Sequence, residues 1–497
     1  MADRWSGDEA LSAARTGACA TGIKLAGPRT ELLAGPPQAC PAAQSDASWQ
    51  PFACGGNCLA GKNGSVDGTA QSRENVTASV IGWPRRHVVV AFTFLGCIIA
   101  YTDRVNISVA AIAMKEHLGW SQTQKGFVLA AFFVGYLSFM FVAGLLANRF
   151  GGKRVLGYSV LAWSIFTLLT PPAAMLSIAV LIAVRIAMGV GEAGVFPATY
   201  ELFGRWVPPT ERARAVAFMT SGVPVGTLIG LMVSGWLVQR YGWTVPFYVF
   251  GAIGLLWLIP WFQQVDNDPT ADPRLGAGER EPLQAARSTT DLGDRAPLRR
   301  LLPRAPVSAI VAGHVAHNWT LYVLLSWLPS YFRDVQGLSI AHSGLFSGAP
   351  WLTMFAAYNL AGPVADWMTQ RGVGVTTTRK LMFCAGLIVS AGFLLALHQA
   401  HSPPAALALL CVATGALACA AAGFMPSYLD VAPRHGAVLF GFGNTFATIP
   451  GIVGVAVTGW LVDVTGTYSA AFVLTAIVSA AGALIFGLLF DARPIID

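Results

Sequence analysis

The run Val88-Val89-Val90-Ala91-Phe92-Thr93-Phe94-Leu95-Gly96-Cys97-Ile98-Ile99-Ala100-Tyr101-Thr102-Asp103-Arg104-Val105-Asn106 decides how the chain is read. From Val88 to Thr102 it holds no charged residue, and it then places Asp103 and Arg104 side by side. About 20 apolar residues wound as a helix cross about 30 Å of hydrocarbon. The apolarity is continuous and does not alternate, which excludes a membrane strand. The charges are expensive there: an ionised group at the centre of a bilayer helix costs about 2.5–3.5 kcal/mol even on the insertion scale. A later apolar stretch adds Arg185 and Glu192. Four such groups, if unpaired, cost on the order of 10 kcal/mol. Charges this costly line a water-filled path or bind something charged, so ion transport is the first hypothesis.

Composition supports the same class. The 497 residues are 54% hydrophobic and only 11% charged, against about 25% charged in soluble domains. The net charge of +7 does not signal nucleic acid, because the basic residues sit in short loops on one side of the membrane. Cys97, Cys384, Cys411 and Cys419 fall in apolar spans, where packing is their default role. Cys19, Cys40, Cys54 and Cys58 fit no firm zinc or disulfide framework, and no cofactor is expected.

Residues 1–82 are rich in Ala, Gly, Ser and Pro, hold no long apolar run and read as a disordered leader. Ala and Ser suit an organelle transit peptide, whereas Asp3, Asp8, Glu9, Glu31 and Asp46 argue against one. Both readings stay open. Twelve spans follow, near 87–112, 126–147, 154–174, 177–203, 213–238, 244–264, 306–332, 343–368, 380–399, 404–428, 437–462 and 468–490. A polar stretch, 265–304, has five prolines and six arginines ahead of Arg304. It reads as a linker between a first six-helix bundle (83–264) and a second (305–497). The even-numbered loops carry most of the arginines and lysines, among them Arg149, Lys153, Arg205, Arg371 and Arg434. By the positive-inside rule both termini and the linker face the cytoplasm or the equivalent organelle interior.

The halves are repeats. At an offset of 218, Gly119, Ser121, Gly126, Gly144 and Ala147 meet Gly337, Ser339, Gly344, Gly362 and Ala365. At an offset of 224, Gly230, Gly235, Trp236 and Gly242 meet Gly454, Gly459, Trp460 and Gly466. Parallel repeats predict two pseudo-symmetric bundles about an axis along the membrane normal, with a site between them at mid-membrane.

Arg185 and Glu192 are seven apart, turned by only about 20°, and share a helix face. Glu192 leans back toward Arg185, which suggests a switchable pair facing the cavity, or else a static lock. Asp103 and Arg104 point about 100° apart and cannot face each other, so each needs a partner elsewhere, with Arg185 and Glu192 of span four the leading candidates. Arg104, with its fixed charge and donor fork, is assigned to an anion. Asp103 and Glu192 are the candidates for cation coupling, by taking a proton or ligating Na⁺; a counter-ion role for Asp103 is equally open. His314 and His317 sit early in span seven, where a histidine relays protons, binds anions or simply packs. Tyr136, Tyr358, Asn359 and Asn444 are polar points in apolar spans, with interhelical hydrogen bonding as the plain alternative. Gly222, Gly226 and Gly230 form a line that suits close helix approach. Membrane enzymes are disfavoured, since no HExxH, GxSxG or paired-aspartate motif is present. A channel fits poorly with the repeat and the buried carboxylates.

From about residue 84 onward the chain resembles the anion:cation symporter family of the major facilitator superfamily. The resemblance rests on Asp103-Arg104-Val105-Asn106-Ile107-Ser108, on Gly144 to Lys153 with Asn148 and Arg149, and on Arg185 with Glu192 followed by Phe196-Pro197. It rests also on Glu211-Arg212-Ala213-Arg214, His317-Asn318-Trp319, Asp430 to Gly436 and Gly443-Asn444-Thr445. Within the family it is most similar to the plant type-4 phosphate transporters, many of them plastidic, which share the ending Ile495-Ile496-Asp497. The resemblance implies an all-α, twelve-helix major facilitator fold in a plastid or other membrane, working as a monomer in the bilayer. It implies uptake of inorganic phosphate or a related anion driven by Na⁺ or H⁺. Arg104, Arg185, Tyr136, His317 and Asn444 are the substrate-binding candidates, and Asn148, Arg149 and Asp366 the gating or structural ones. Ascorbate, glutamate or a sugar acid is the alternative substrate. The vesicular glutamate branch, however, has a helix-two His where this chain has Leu129 and an Arg in place of His317. Bacterial sugar-acid symporters have a Gln in place of Val223, and the loop motif normally has Asp where Asn148 stands.

Overall fold

The structure, a computed structural model, describes residues 84–275 and 301–495 apart from Arg434. The leader with its four cysteines, residues 276–300 of the linker and the final Ile496-Asp497 lie outside the described residues. The first half consists of α1 (Arg85–Leu118), α2 (Gln122–Phe150), α3 (Gly152–Leu176), α4 (Ile178–Glu192), α5 (Val195–Trp206), α6 (Pro209–Thr220), α7 (Gly222–Tyr241) and α8 (Val245–Gln264). The second consists of α9 (Ala305–Asp334), α10 (Ile340–Gln370), α11 (Val375–Leu395), α12 (Pro403–Val431), α13 (Gly436–Thr465) and α14 (Ser469–Leu489). No strand occurs among the described residues, and the fold class is the expected all-α membrane architecture.

The fourth and fifth predicted spans are each interrupted. Span four breaks at Ala193-Gly194, directly after Glu192, and span five at Ser221. With α4–α5 and α6–α7 each taken as one pass, the helices make twelve passes. Ten are long and apolar enough to cross a membrane by length and composition. The remaining two, α9 and α10, are 30 and 31 residues long. They are more polar because they carry His314, His317 and Asn318 in one and Pro350, Asn359 and Pro363 in the other.

Local chemistry explains the helix ends. Ser121 caps α2 by accepting from the Gln124 amide at 3.1 Å, while the Gln124 side chain accepts from the Ser121 amide at 2.9 Å. The reciprocal pair satisfies two amides that the first turn leaves open. Its counterpart Ser339 accepts from His342 at 3.3 Å at the start of α10. The repeated glycines Gly119 and Gly337 have φ of 67° and 66°, a left-handed conformation that costs glycine little. The repeat is therefore one of backbone geometry.

Within the first half, α7 lies along α1 and α4 lies between α2 and α3. The glycine line packs closely, as its spacing suggested: a Cβ on Gly226 would lie 2.5 Å from the Ile98 carbonyl oxygen. Across the halves, α2 packs on α13, α7 on α10 and α1 on α9. The polar stretch after α8 begins pinned to α1. Arg85 reaches buried Asp272 through Nε at 3.1 Å and Nη2 at 3.0 Å, and Arg274 Nε reaches the same carboxylate at 2.8 Å.

Candidate functional site

Two glycine contacts bring α4 against α2. A Cβ on Gly135 would lie 1.9 Å from the Ile186 carbonyl oxygen, and one on Gly189 would lie 2.0 Å from that of Phe132. No larger side chain fits either place, so the backbones touch and the side chains of α4 are carried to the α1–α2 face. Gly191 likewise lets α4 approach Trp163 of α3.

Arg104 and Glu192 are joined there. Both guanidinium Nε, at 3.0 Å, and Nη2 donate to Glu192 Oε1. Arg104 Nη1 also donates to the Tyr101 hydroxyl at 3.4 Å. The Arg104 guanidinium carbon lies 4.6 Å, 4.8 Å and 5.0 Å from the ring centres of Tyr101, Phe132 and Tyr136. Aromatic faces stabilise a cation in such a cage. The expected pairing of Arg185 with Glu192 is not the one found. The Ala193-Gly194 break leaves Glu192 at the end of α4, within reach of α1. Arg185 instead turns to Met188 Sδ at 3.0 Å and to the Phe132 ring at 5.3 Å.

Asp103 points away from Arg104, as their adjacent positions require. Its Oδ2 accepts from Trp163 Nε1 at 3.1 Å, and it is completely buried. Among the described residues Asp103 Oδ1, Glu192 Oε2, Arg185 Nε and both polar atoms of Asn106 are buried without a hydrogen-bond partner. Such groups are costly to leave unmet.

A cavity of about 10 Å³, room for about one water molecule, joins Arg104, Ser108, Phe132 and Arg185 of the first half to Leu325 and Ser326 of the second. The two arginines thus share one small space at the boundary between the halves.

Of the other expected residues, Tyr136 borders this space and the rest lie apart from it. Tyr136 stacks on Phe132, with ring centres 5.9 Å apart, and its ring centre lies 5.0 Å from the Arg104 guanidinium carbon. His317 is held inside the second half, with Nδ1 3.1 Å from Asn318 Oδ1 and Nε2 3.2 Å from the Leu417 carbonyl. His314 Nδ1 lies 3.0 Å from the Tyr428 hydroxyl. Asn444 donates to Met140 Sδ at 3.5 Å, across the halves. Asn148, Arg149 and Asp366 are exposed and make no ion pair among the described residues. The fold brings Arg104, Arg185 and Glu192 together, with Tyr136 beside them, and does not bring His317, Asn444 or the three loop residues to that space.

The Major Facilitator Superfamily model matches residues 93–454. This chain belongs to that superfamily. The transporter is 35% identical over 428 residues to the chloroplastic sodium-dependent phosphate transport protein 1 of Arabidopsis thaliana, covering 85% of this chain and 83% of that one. It is 34% identical over 441 residues to the chloroplastic ascorbate transporter of the same plant, covering 87% and 81%. Among solved structures, the inward-open xylose transporter XylE from E. coli superposes with a TM-score of 0.67 at 13% identity, covering 82% of this chain and 96% of that one. An inward-facing bacterial homologue of the human lysosomal transporter Spinster gives 0.64 at 19% identity, covering 82% and 95%. These structural likenesses speak to fold alone.

The transporter is a multi-pass membrane protein. Sequence reasoning missed three of its site residues. Ser108 lies four residues after Arg104, one turn along the same face, a spacing that pointed to it. Ser326 is its counterpart at the 218 offset. Trp163 carried no signal, since its contact with Asp103 joins α3 to α1 across 60 residues of sequence.

Proposed function

We propose that this transporter carries inorganic phosphate or a related small anion, coupled to Na⁺ or H⁺, by alternating access of a site between its halves. The observation that carries the reading is the placement of two buried guanidinium groups on one cavity shared by both halves. Arginine presents fixed charge and a planar donor fork, which suit phosphate and carboxylate. With Glu192 ionised, Arg104 is occupied by its carboxylate partner. A proton or Na⁺ on Glu192, whose Oε2 has no donor among the described residues, frees Arg104 for the anion and links cation binding to anion binding. Asp103, held by Trp163, sets the charge balance beside them. The cavity is small because the site is closed on itself, and an anion enters when the halves separate.

The printed functions of the relatives support this reading. One carries sodium-dependent phosphate in its name and another ascorbate. The ascorbate relative favours an organic anion as the second substrate class. The chloroplastic relatives point to a plastid membrane for this chain. Labelled phosphate uptake by the purified protein in liposomes, under separate Na⁺ and pH gradients, tests the proposal. Saturable uptake driven by one gradient and reduced by competing ascorbate is the expected result. Uncoupled electrical conductance without gradient-driven accumulation contradicts it.

A further inference from the structure

Two contacts between the halves repeat each other at the end that carries the α1–α2 and α9–α10 turns. At the first, Asp463 near the end of α13 accepts from the backbone amides of Gln122 at 2.9 Å and Thr123 at 2.6 Å, and from the Thr123 hydroxyl at 2.5 Å. Gln122 and Thr123 begin α2, where amides lack intrahelical acceptors and negative charge is favoured. At the second, Gln239 near the end of α7 accepts from the amide of Ala341, in the first turn of α10, at 2.8 Å. Asp463 stands 224 residues after Gln239, and Ala341 stands 218 after Thr123. These are the offsets that relate the halves.

The small residues match as well. A Cβ on Gly459 would lie 2.4 Å from the Gln122 carbonyl oxygen, and one on its counterpart Gly235 would lie 3.1 Å from that of Ile340. The charged contact is the more heavily built. Gln122 Nε2 donates to Asp334 at 3.0 Å, and Arg333 meets Glu116 at 3.4 Å. Buried Lys125 reaches Ser330 Oγ at 2.7 Å and lies 4.7 Å from the Trp327 ring. Toward the opposite end the halves meet at the Asn444–Met140 contact.

We propose that Asp463 and Gln239 are twin positioning residues of one gate, which holds this end shut by accepting from the first amides of α2 and α10. Asp463 is the dominant member because it alone brings a charge to a helix N-terminus. Opening this end breaks both contacts together and exposes Lys125 to the entry path of an anion. The proposal rests on the alternating-access reading above.

The test uses the full chain in lipid nanodiscs, with its own cysteines replaced by alanine. Spin labels at Lys115→Cys and Val335→Cys report the sealed end, and labels at Phe150→Cys and Trp367→Cys report the opposite end. Asp463→Ala raises the long-distance population at the sealed end by about tenfold, the worth of a charged cap, and shortens the opposite pair. Asp463→Asn gives a smaller shift of the same sign. Gln239→Asp shifts both pairs the other way, a gain that damaged folding does not produce. Unchanged distances in Asp463→Ala overturn the gate, as does lengthening at the sealed end with no shortening opposite. If Asp463→Ala or the parent chain keeps single distances at both pairs in saturating phosphate and Na⁺, the alternating-access reading fails with it.

Discussion

Tyr322 stands 218 residues after Arg104, and Ser326 stands likewise to Ser108. The small cavity therefore has matching walls with different charges: Arg104 and Ser108 on one side, Ser326 on the other, and the Tyr322 ring 4.6 Å from that of Phe133. The asymmetry continues deeper. In the first half α4 supplies Arg185 and Glu192, whereas α12, its counterpart, holds no charged residue before Asp430. At the sealed end the halves nearly match, with Asp463 against Gln239 and Gly459 against Gly235. The difference teaches a division of labour. On the proposed reading the symmetric parts move and the asymmetric part recognises the anion.

The strongest way to break this comparison is to remove charge from the first half. Arg185→Ala is expected to reduce phosphate uptake by about 100-fold or more, since truncating a buried charged partner costs about 2–5 kcal/mol. Saturable uptake at the parent rate in liposomes contradicts the assignment. Arg104→Ala acts on stability too. It strands the Glu192 carboxylate, at a cost of about 3–5 kcal/mol, and thermal unfolding in detergent should show the loss. Adding Glu192→Gln is expected to restore the melting temperature without restoring uptake.

Glu192→Gln alone sharpens the coupling claim. The variant is expected to lose accumulation driven by a Na⁺ or pH gradient while phosphate exchange persists, and retained gradient dependence removes Glu192 from that role. Trp163→Phe is a milder change. It takes from Asp103 its one donor among the described residues, a loss of about 1–3 kcal/mol, and is expected to slow uptake by about tenfold with little change in fold. The smallest effect lies away from the cavity, at Asp272. Burial pushes that carboxyl up, but hydrogen bonds from Arg274 and the charge of Arg85 outweigh it and hold it below the usual carboxylate value. A lowered value means the stabilisation is present at neutral pH and fades as pH falls through it. Asp272→Asn should therefore lower the melting temperature at neutral pH and change little in strong acid.

Much of the fold was legible because it is written in composition and spacing. Apolar runs near 20 residues, arginines on alternate loops and glycines at two fixed offsets required no tertiary knowledge. Asp103 and Arg104 were bound to point apart by helix geometry alone, and they do. The partner of Glu192 was legible only as a choice between Arg104, across helices, and Arg185, on its own face. The seven-residue spacing to Arg185 promised one pairing, but the break after Glu192 and the α2–α4 glycine contacts deliver another. His317 looked equally available in sequence, yet packing turns it to Leu417 and Asn318 inside the second half. Asp463 gave no signal in the sequence, because the amide of Thr123 that donates to it lies 340 residues away on the other half.

The central claim is that Arg104 and Arg185 together form an anion site between the halves. Labelled phosphate counterflow in liposomes, with equal Na⁺ and pH on both sides, tests it without any coupling gradient. Transient accumulation by the parent chain, and none by Arg185→Ala of unchanged melting temperature, is the predicted result. Equal counterflow by the two proteins would contradict the account.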